Sequence, residues 1–366
     1  MKANPMKIMM VAGTRPDFIK IAPLMLALNQ LPAIEPILVH TGQHRDWRMN
    51  GLHFHQLAIP DPDESLDSDG SSVAARLATV MLRFQPLLVR QHPDCVIVVG
   101  NVHHAIGCVL LAAEMGIRVI HVEAGLRSPG GNTPEEIDRI LADHLSDLLF
   151  CTEQSAVDNL IREGIPKSKI VLAGNVAIDA LWRYWNKARA SKILPALELP
   201  DNGYAVLTMH HRPNVQDAAA FSRIISAIKI VGRDMPVVFP MHPHSRERLT
   251  VEQMRSEDSG IRFIDPLGYL DFLKLISSAK VVFTDSGGVQ EETTVLNVPC
   301  LTLRDSTDRP CTEEMGSNYV VGTDPDRIVE VYRHSQNGGR KTATTPPLWD
   351  GCASERISNT LAAMYG

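Results

Sequence analysis

Residues 7–20 read KIMMVAGTRPDFIK: five apolar residues run into Gly13, and a charged, proline-bearing stretch of helical character follows at once. A short apolar run that stops at a glycine and opens directly into a helix is the start of a strand–crossover unit, because a parallel strand must be followed by a connection that begins at its carboxyl end. The pattern recurs along the chain. EPILVHTG, CVIVVG, RVIHVEAG and DLLFCT continue it in the first half, and nearly all end in Gly, Thr or a charged residue. YAVLTMH, MPVVFPMH, RFIDP, KVVFTDSGG and VPCLTL restart it in the second half. β-Branched runs alternating with longer segments of helical period predict an α/β protein with two doubly wound, Rossmann-like domains. WRYWNKARASKILPALELPDNG, residues 182–203, reads as a helix running into a linker between them. Ligands of such sheets bind beyond the carboxyl ends of the strands, so the site is expected in an interdomain cleft.

Composition agrees and excludes several functions. A chain of 366 residues with 44% apolar side chains fits two domains better than one. A net charge of −6 leaves no basic footprint for nucleic acid or for an anionic membrane surface. The longest apolar runs, such as residues 106–122, are broken by Glu114 and Arg118, short of the roughly 18 residues that a membrane span needs. MKANPMKIMMVAGTRP does not read as an export signal, so the expected location is cytoplasmic. Six cysteines show neither a C-x-x-C pair nor zinc-type spacing with histidine, and those in apolar runs (Cys95, Cys108, Cys151 and Cys300) read as core.

The strand-end loops carry the chemistry. GTRPDFIK sets Arg15 and Lys20 near a helix N-terminus, where backbone N–H groups and the dipole favour an anion; the competing reading is a solvated basic turn. FTDSGGVQEE repeats the design with Ser286, Gly287 and Gly288 at a strand-to-helix turn. Its glycines admit close approach of a phosphate, and Glu292, further along the helix, suits sugar hydroxyls. His242 and His244 in MHPH, and the pair His210 and His211, lack the third and fourth ligands and the supporting carboxylates of a metal site. They read as anion contacts or strand-end caps, and no metal is expected.

GTRPDFIKIAPL, TGQHRD, HVEAGLR followed by PEEIDR, TDSGGVQEE, RDSTDRP, VGTDPDRIV and WDGCASERI resemble, in order and spacing, the non-hydrolysing UDP-N-acetylglucosamine 2-epimerases over nearly the whole chain. The resemblance implies a glycosyltransferase-B-like fold that binds UDP in its cleft, works without a cofactor and forms a homodimer. It also implies an N-terminal domain over residues 1–175 that handles the sugar and a nucleotide-binding domain over residues 176–350. A C-terminal helix over residues 351–366 is expected to cross back to the first domain. Carried over by position, it places UDP and its diphosphate near Arg15, Lys20, His210, His242, Phe272, Ser286, Gly287, Gly288, Glu292 and Arg309, and acid–base work near Glu123 and Glu135, with His210 also counted among the catalytic residues. The implied reaction inverts C2 of a UDP-activated 2-acetamido sugar. Because that C2 hydrogen is barely acidic, UDP has to leave C1 first, helped by cations and helix N-termini at the diphosphate. A base then removes the C2 proton to give a glycal, and a second group returns a proton to the opposite face before UDP adds back.

At the Pro134–Glu135 turn an acidic residue is also what a helix N-terminus prefers on its own account, so a merely structural reading competes there. VIVVGNVHHA, residues 96–105, departs from the family, which carries Asp where this chain has Asn101, followed by Val102, His103 and His104. An amide orients a sugar but takes no proton. Either His103, His104 or Glu123 assumes the proton transfer, or the substrate differs at C2 or C3, or the chain is a UDP-sugar-binding protein or a glycosyltransferase-B-type enzyme without epimerase activity. Against all three stands the plain reading that the histidines start a helix and face solvent. HHRPNV, Leu267 and Cys311 depart from the family pattern as well, and LDSDGSSVAARL lacks the Gly-Gln element tied to activation by a second substrate molecule.

Overall fold

The computed structural model describes residues 5–42, 61–67, 72–129, 133–241 and 260–365, with Arg15 and Tyr365 described for their backbone. The chain divides into two compact units, Met1–Arg183 with Pro347–Gly366, and Tyr184–Pro346.

The first unit is built on a seven-stranded sheet of β1 (Met6–Ala12), β2 (Ile34–His40), β3 (Glu64–Ser65), β4 (Cys95–Val99), β5 (Arg118–Val122), β6 (Leu148–Cys151) and β7 (Ile170–Leu172). Its spatial order is β3-β2-β1-β4-β5-β6-β7 and its pairings are parallel. The connections carry α1 (Arg15–Asn29), α2 (Val73–Gln91), α3 (Ile106–Glu114), α4 (Pro134–Leu145), α5 (Gln154–Arg162) and α6 (Val176–Arg189). The second unit has a six-stranded parallel sheet of β8 (Ala205–Thr208), β9 (Val237–Pro240), β10 (Ile261–Ile264), β11 (Val281–Thr284), β12 (Cys300–Thr302) and β13 (Asn318–Val320), in the order β10-β9-β8-β11-β12-β13. Its helices are α7 (Ile193–Ala196), α8 (Arg212–Gln216), α9 (Ala218–Asp234), α10 (Tyr269–Ser277), α11 (Gly287–Val295), α12 (Pro310–Glu314) and α13 (Pro325–Gln336). The last helix, α14 (Ala353–Tyr365), returns to the first unit and packs on α1.

Central strands read as unbroken apolar runs because parallel sheets are covered on both faces. Every residue of β4, for example, is buried. Helix starts follow local chemistry. Thr133 caps α4, accepting from the Glu136 N–H at 3.2 Å with Pro134 in the first turn, and Asp324 caps α13 in the same way, accepting from the Arg327 N–H at 2.9 Å. β3, β7 and β13 were not anticipated from the sequence. All three are edge strands of two or three residues, too short to show a period.

Candidate functional site

In the first unit the strand order turns at the β1–β4 pair, the topological switch point at which doubly wound sheets take their ligands. Gly100 ends β4 with φ +67°, and a Cβ built on it would stand 2.9 Å from Glu123 Oε2 and 3.0 Å from Lys20 Nζ. Only glycine meets both demands, so β4 can end directly against an ion pair. Lys20 Nζ lies 2.5 Å from Glu123 Oε2, and the Glu123 side chain is wholly buried. Glu123 also holds φ +67°, a left-handed conformation rare outside glycine and found where surroundings over-determine a functional residue. Its second oxygen, Oε1, meets no hydrogen-bond partner among the described residues. A buried carboxylate oxygen left bare is costly to folding, and it is free to take a proton.

Two residues before Glu123, His121 is buried with Nε2 donating to the Gly100 carbonyl at 3.1 Å and Nδ1 to Asp143 Oδ1 at 2.6 Å. Partners on both ring nitrogens hold the ring in place at both ends. Asp143 Oδ2 accepts from the Gly125 N–H at 3.1 Å and pairs with Arg127 Nη1 at 2.7 Å. Burial pushes the Asp143 carboxyl up, but His121 and Arg127 together outweigh burial and hold it below its ordinary value. This network clamps the chain on both sides of Glu123. Its members lie inside HVEAGLR and the α4 sequence, yet their pairing spans some twenty residues and no local signal announces it.

Asn101 is exposed, and its Oδ1 accepts from the His103 N–H at 3.1 Å, capping a single 3-10 turn over Val102–His104. His103 Nδ1 lies 2.5 Å from Asp138 Oδ2 of α4, with the two side chains 18% and 16% exposed. His104 stacks edge-on to His103 and packs on Gly13, where a Cβ would fall 2.6 Å from that of His104. Both histidines do lie in a helical turn ahead of α3, but they are partly buried rather than turned to solvent. Glu135 lies half-buried in the first turn of α4. The fully enclosed acid there is its neighbour Glu136, which accepts from the Ser128 N–H at 3.2 Å and from Arg139 Nη1 at 3.1 Å. In the GTRP turn, Asp17 Oδ2 accepts from the N–H groups of Gly13 and Thr14, at 3.1 and 2.7 Å. These two amides are therefore already occupied by a side chain of the same turn.

The second unit repeats the geometry at its own switch point, β8 beside β11. The Thr208 and Thr284 hydroxyls meet at 2.6 Å across the paired strands. Asp285 then accepts from the backbone N–H groups of His210 and His211, each at 3.0 Å, and from Asn214 Nδ2 at 3.2 Å, so one carboxylate ties the two strand-end loops together. The exposed His210 ring keeps Nδ1 3.4 Å from Asp285 Oδ1. Ser286 is the N-cap of α11, but its side chain makes no capping bond. Arg309 lies over Gly287, with Nη1 2.4 Å from where a Cβ would be, and ion-pairs with Glu291 and Asp308 at 2.6 and 2.7 Å. A Cβ on Gly288 would enter open space. Glu292 is buried beside Tyr269, whose phenol is pushed well up, first by burial and then by the Glu292 carboxylate. Phe272 is half-buried on α10. His242 and His244 lie outside the described residues.

Two doubly wound parallel units with polar groups gathered at both switch points define an α/β protein of the glycosyltransferase-B-like class. The chain belongs to the UDP-N-acetylglucosamine 2-epimerase family, whose pattern it matches over residues 26–362. It is 35% identical to the UDP-N-acetylglucosamine 2-epimerase of Methanocaldococcus jannaschii over 370 residues, covering 99% of this chain and 100% of the relative. It is 34% identical to the UDP-2,3-diacetamido-2,3-dideoxy-D-glucuronate 2-epimerase of Pseudomonas aeruginosa over 363 residues, covering 98% and 100%. The crystal structure of the M. jannaschii enzyme in complex with UDP-GlcNAc and UDP superimposes with a TM-score of 0.90 at 34% identity, over 98% of this chain and 100% of that one. Among the described residues no helix is long and apolar enough to cross a membrane.

Proposed function

We propose that this protein inverts C2 of a UDP-activated 2-acetamido sugar by expelling UDP to a glycal and adding it back. The observation that carries this reading is Glu123, a buried carboxylate at a switch point with one oxygen anchored on Lys20 and the other without a partner among the described residues. In the elimination the C1–O electron pair departs with UDP, the C2–H pair becomes the C1=C2 double bond, and Glu123 takes the proton. Glu135, in the first turn of α4, shares the acid–base work. The first unit handles the sugar, with Arg15 and Lys20 supplying positive charge. In the second unit the start of α11 holds phosphate: the Ser286 hydroxyl is unused in capping, Gly288 faces open space, and cations and helix dipole both favour the departing diphosphate. Glu292 and Phe272 bind the nucleoside, and Arg309, His210 and His242 surround the phosphates. No cofactor takes part. The protein works in the cytoplasm, where thiols stay reduced, in keeping with five buried, unpaired cysteines. It works as a homodimer, joined through apolar side chains that α2 and α4 expose. Nothing favours the non-catalytic alternative, since both acidic residues are present.

NMR in deuterated water tests the reading. With UDP-N-acetylglucosamine and UDP-2,3-diacetamido-2,3-dideoxyglucuronate offered separately, at least one should gain deuterium at C2 and invert without stoichiometric release of UDP. Glu123→Gln should lower that turnover about a hundredfold with UDP affinity retained. Absence of C2 exchange in any UDP-2-acetamido sugar would overturn the assignment.

A further inference from the structure

We infer that Gln290 is a positioning residue for the phosphate-binding turn: its buried side chain fastens Ser286, at the start of α11, to the backbone of Arg309, so that turn and cation meet the diphosphate as one rigid surface. The inference rests on the nucleotide-binding reading above.

Beneath that turn the second unit buries a neutral polar network. Gln290, Thr302, Thr312 and Asn318 are fully buried and Thr307 nearly so. Gln290 Nε2 donates to the Ser286 carbonyl at 3.2 Å, and Gln290 Oε1 accepts from the Thr307 hydroxyl at 2.6 Å and from Asn318 Nδ2 at 3.1 Å. Thr307 Oγ1 in turn accepts from the Arg309 N–H at 3.0 Å. Asn318 Nδ2 also donates to Thr312 Oγ1 at 3.1 Å, and that hydroxyl donates to the Arg309 carbonyl at 2.8 Å. Thr302, the last residue of β12, completes the set by donating to Asn318 Oδ1 at 2.6 Å. Arg309 is thus held at its N–H by one branch and at its carbonyl by the other, and both branches meet at Gln290.

The direction of each of these bonds follows from the backbone groups at the ends, since a carbonyl only accepts and an N–H only donates. The Arg309 carbonyl takes the single hydrogen of the Thr312 hydroxyl, which turns the amide nitrogen of Asn318 toward Thr312. The Ser286 carbonyl likewise turns the Gln290 amide nitrogen toward itself and leaves Oε1 to take the two remaining donors. The arrangement closes in one way, so one side-chain amide sets the distance from the Ser286 turn to Arg309.

Stability does not account for such a network. Replacing buried hydrogen-bonded partners with apolar groups of the same shape is often neutral or stabilising, whereas a fully satisfied network rigidifies and specifies one geometry. The geometry held here belongs to the two groups that the proposed reaction needs at its leaving group. Ser286 and Gly287 begin α11, whose N-terminal dipole favours phosphate, and the Arg309 side chain lies over Gly287 and pairs with Glu291 of the same helix at 2.6 Å. The ion pair holds Arg309 by its guanidinium, and the neutral network holds it by its backbone.

The experiment compares affinity for UDP and for uridine, by NMR titration, in the wild type, Gln290→Met, Thr307→Val, Thr307→Ser and the combined Gln290→Met, Thr307→Val variant. Methionine and valine approximate the native shapes and remove the hydrogen bonds. UDP affinity should fall about tenfold in Gln290→Met and in Thr307→Val while uridine affinity holds, because the phosphates alone meet the displaced turn. Thr307→Ser, which keeps the hydroxyl, should recover most of what Thr307→Val loses. Groups of one network do not act additively, so the combined variant should lose little more than Gln290→Met alone. Thermal midpoints report folding, and if Gln290→Met does not fold, Thr307→Val against Thr307→Ser decides the question. Equal losses for UDP and uridine in folded variants, or an unchanged UDP affinity, would overturn the role of Gln290 and leave the nucleotide-binding reading standing. A wild type that binds UDP no more tightly than uridine overturns both.

Discussion

Around Glu123 the backbone and the charges constrain one another. A non-glycine residue at φ +67° is held there by its neighbours: the Gly125 N–H is fixed by Asp143, the Gly100 carbonyl by His121, and the carboxylate by Lys20. Asp143 is the keystone, and its titration gives a stability test. Burial alone would raise it, but the His121 and Arg127 charges win and lower it. A carboxyl depressed in the folded state stabilises the fold above its unfolded pKa, about 3.9, and that contribution is lost as pH falls through the lower folded value. Asp143→Asn should therefore cost about 3 kcal/mol or more near pH 7, since it leaves the buried His121 without its carboxylate and takes one of the two carboxylates that Arg127 pairs closely with. The gap to wild type should begin to close below about pH 4 and narrow as pH falls toward the lower folded value. Urea midpoints measured across that range check it, and a pH-independent gap would contradict the charge-pair account.

At the scale of elements, the segment running from Trp349 into α14 closes the first unit. Trp349 is 1% exposed and its Nε1 donates to the Thr152 carbonyl beyond β6 at 2.9 Å. Asp179 of α6 caps α14, accepting from the N–H groups of Ala353 and Ser354 at 3.1 and 2.6 Å. Because α14 packs on α1, which carries Lys20, loosening this segment reaches the site from behind. Trp349→Ala should cost about 3–5 kcal/mol through the cavity it leaves, and Asp179→Ala about 1 kcal/mol through the lost cap. Denaturant unfolding followed by circular dichroism would read both. Equal effects would mean that the tryptophan fills no well-packed space.

At the scale of the whole molecule, apolar surface points to self-association. Leu82 on α2 is 71% exposed, and Ile137 and Leu141 on α4 are 51% and 42% exposed, on helices that both pack against α3. Exposed apolar side chains concentrated on neighbouring helices are a mark of an interface. Sedimentation of the native chain should give a dimer, and Leu82→Glu with Leu141→Glu should shift it to monomer while the helical signal remains. An unchanged mass would place the contact elsewhere.

The central strands, the capped helix starts and the strand-end loops that carry Glu123, His103 and Ser286 were legible in the order of residues. Apolar period, glycine and N-cap chemistry act within a few positions, and a chain reads out local physics directly. The strands β3, β7 and β13 were not legible, because two or three residues are too few to show a period. The site was legible as a set of residues and illegible as a set of partners. Nothing local says that Lys20 reaches Glu123, 103 positions away, that Asp138 faces His103, or that Asp143 holds His121. Those facts depend on which strand ends the crossover connections bring side by side. Electrostatics and hydrogen bonding, which set the chemistry, act across that distance in space and not along the chain.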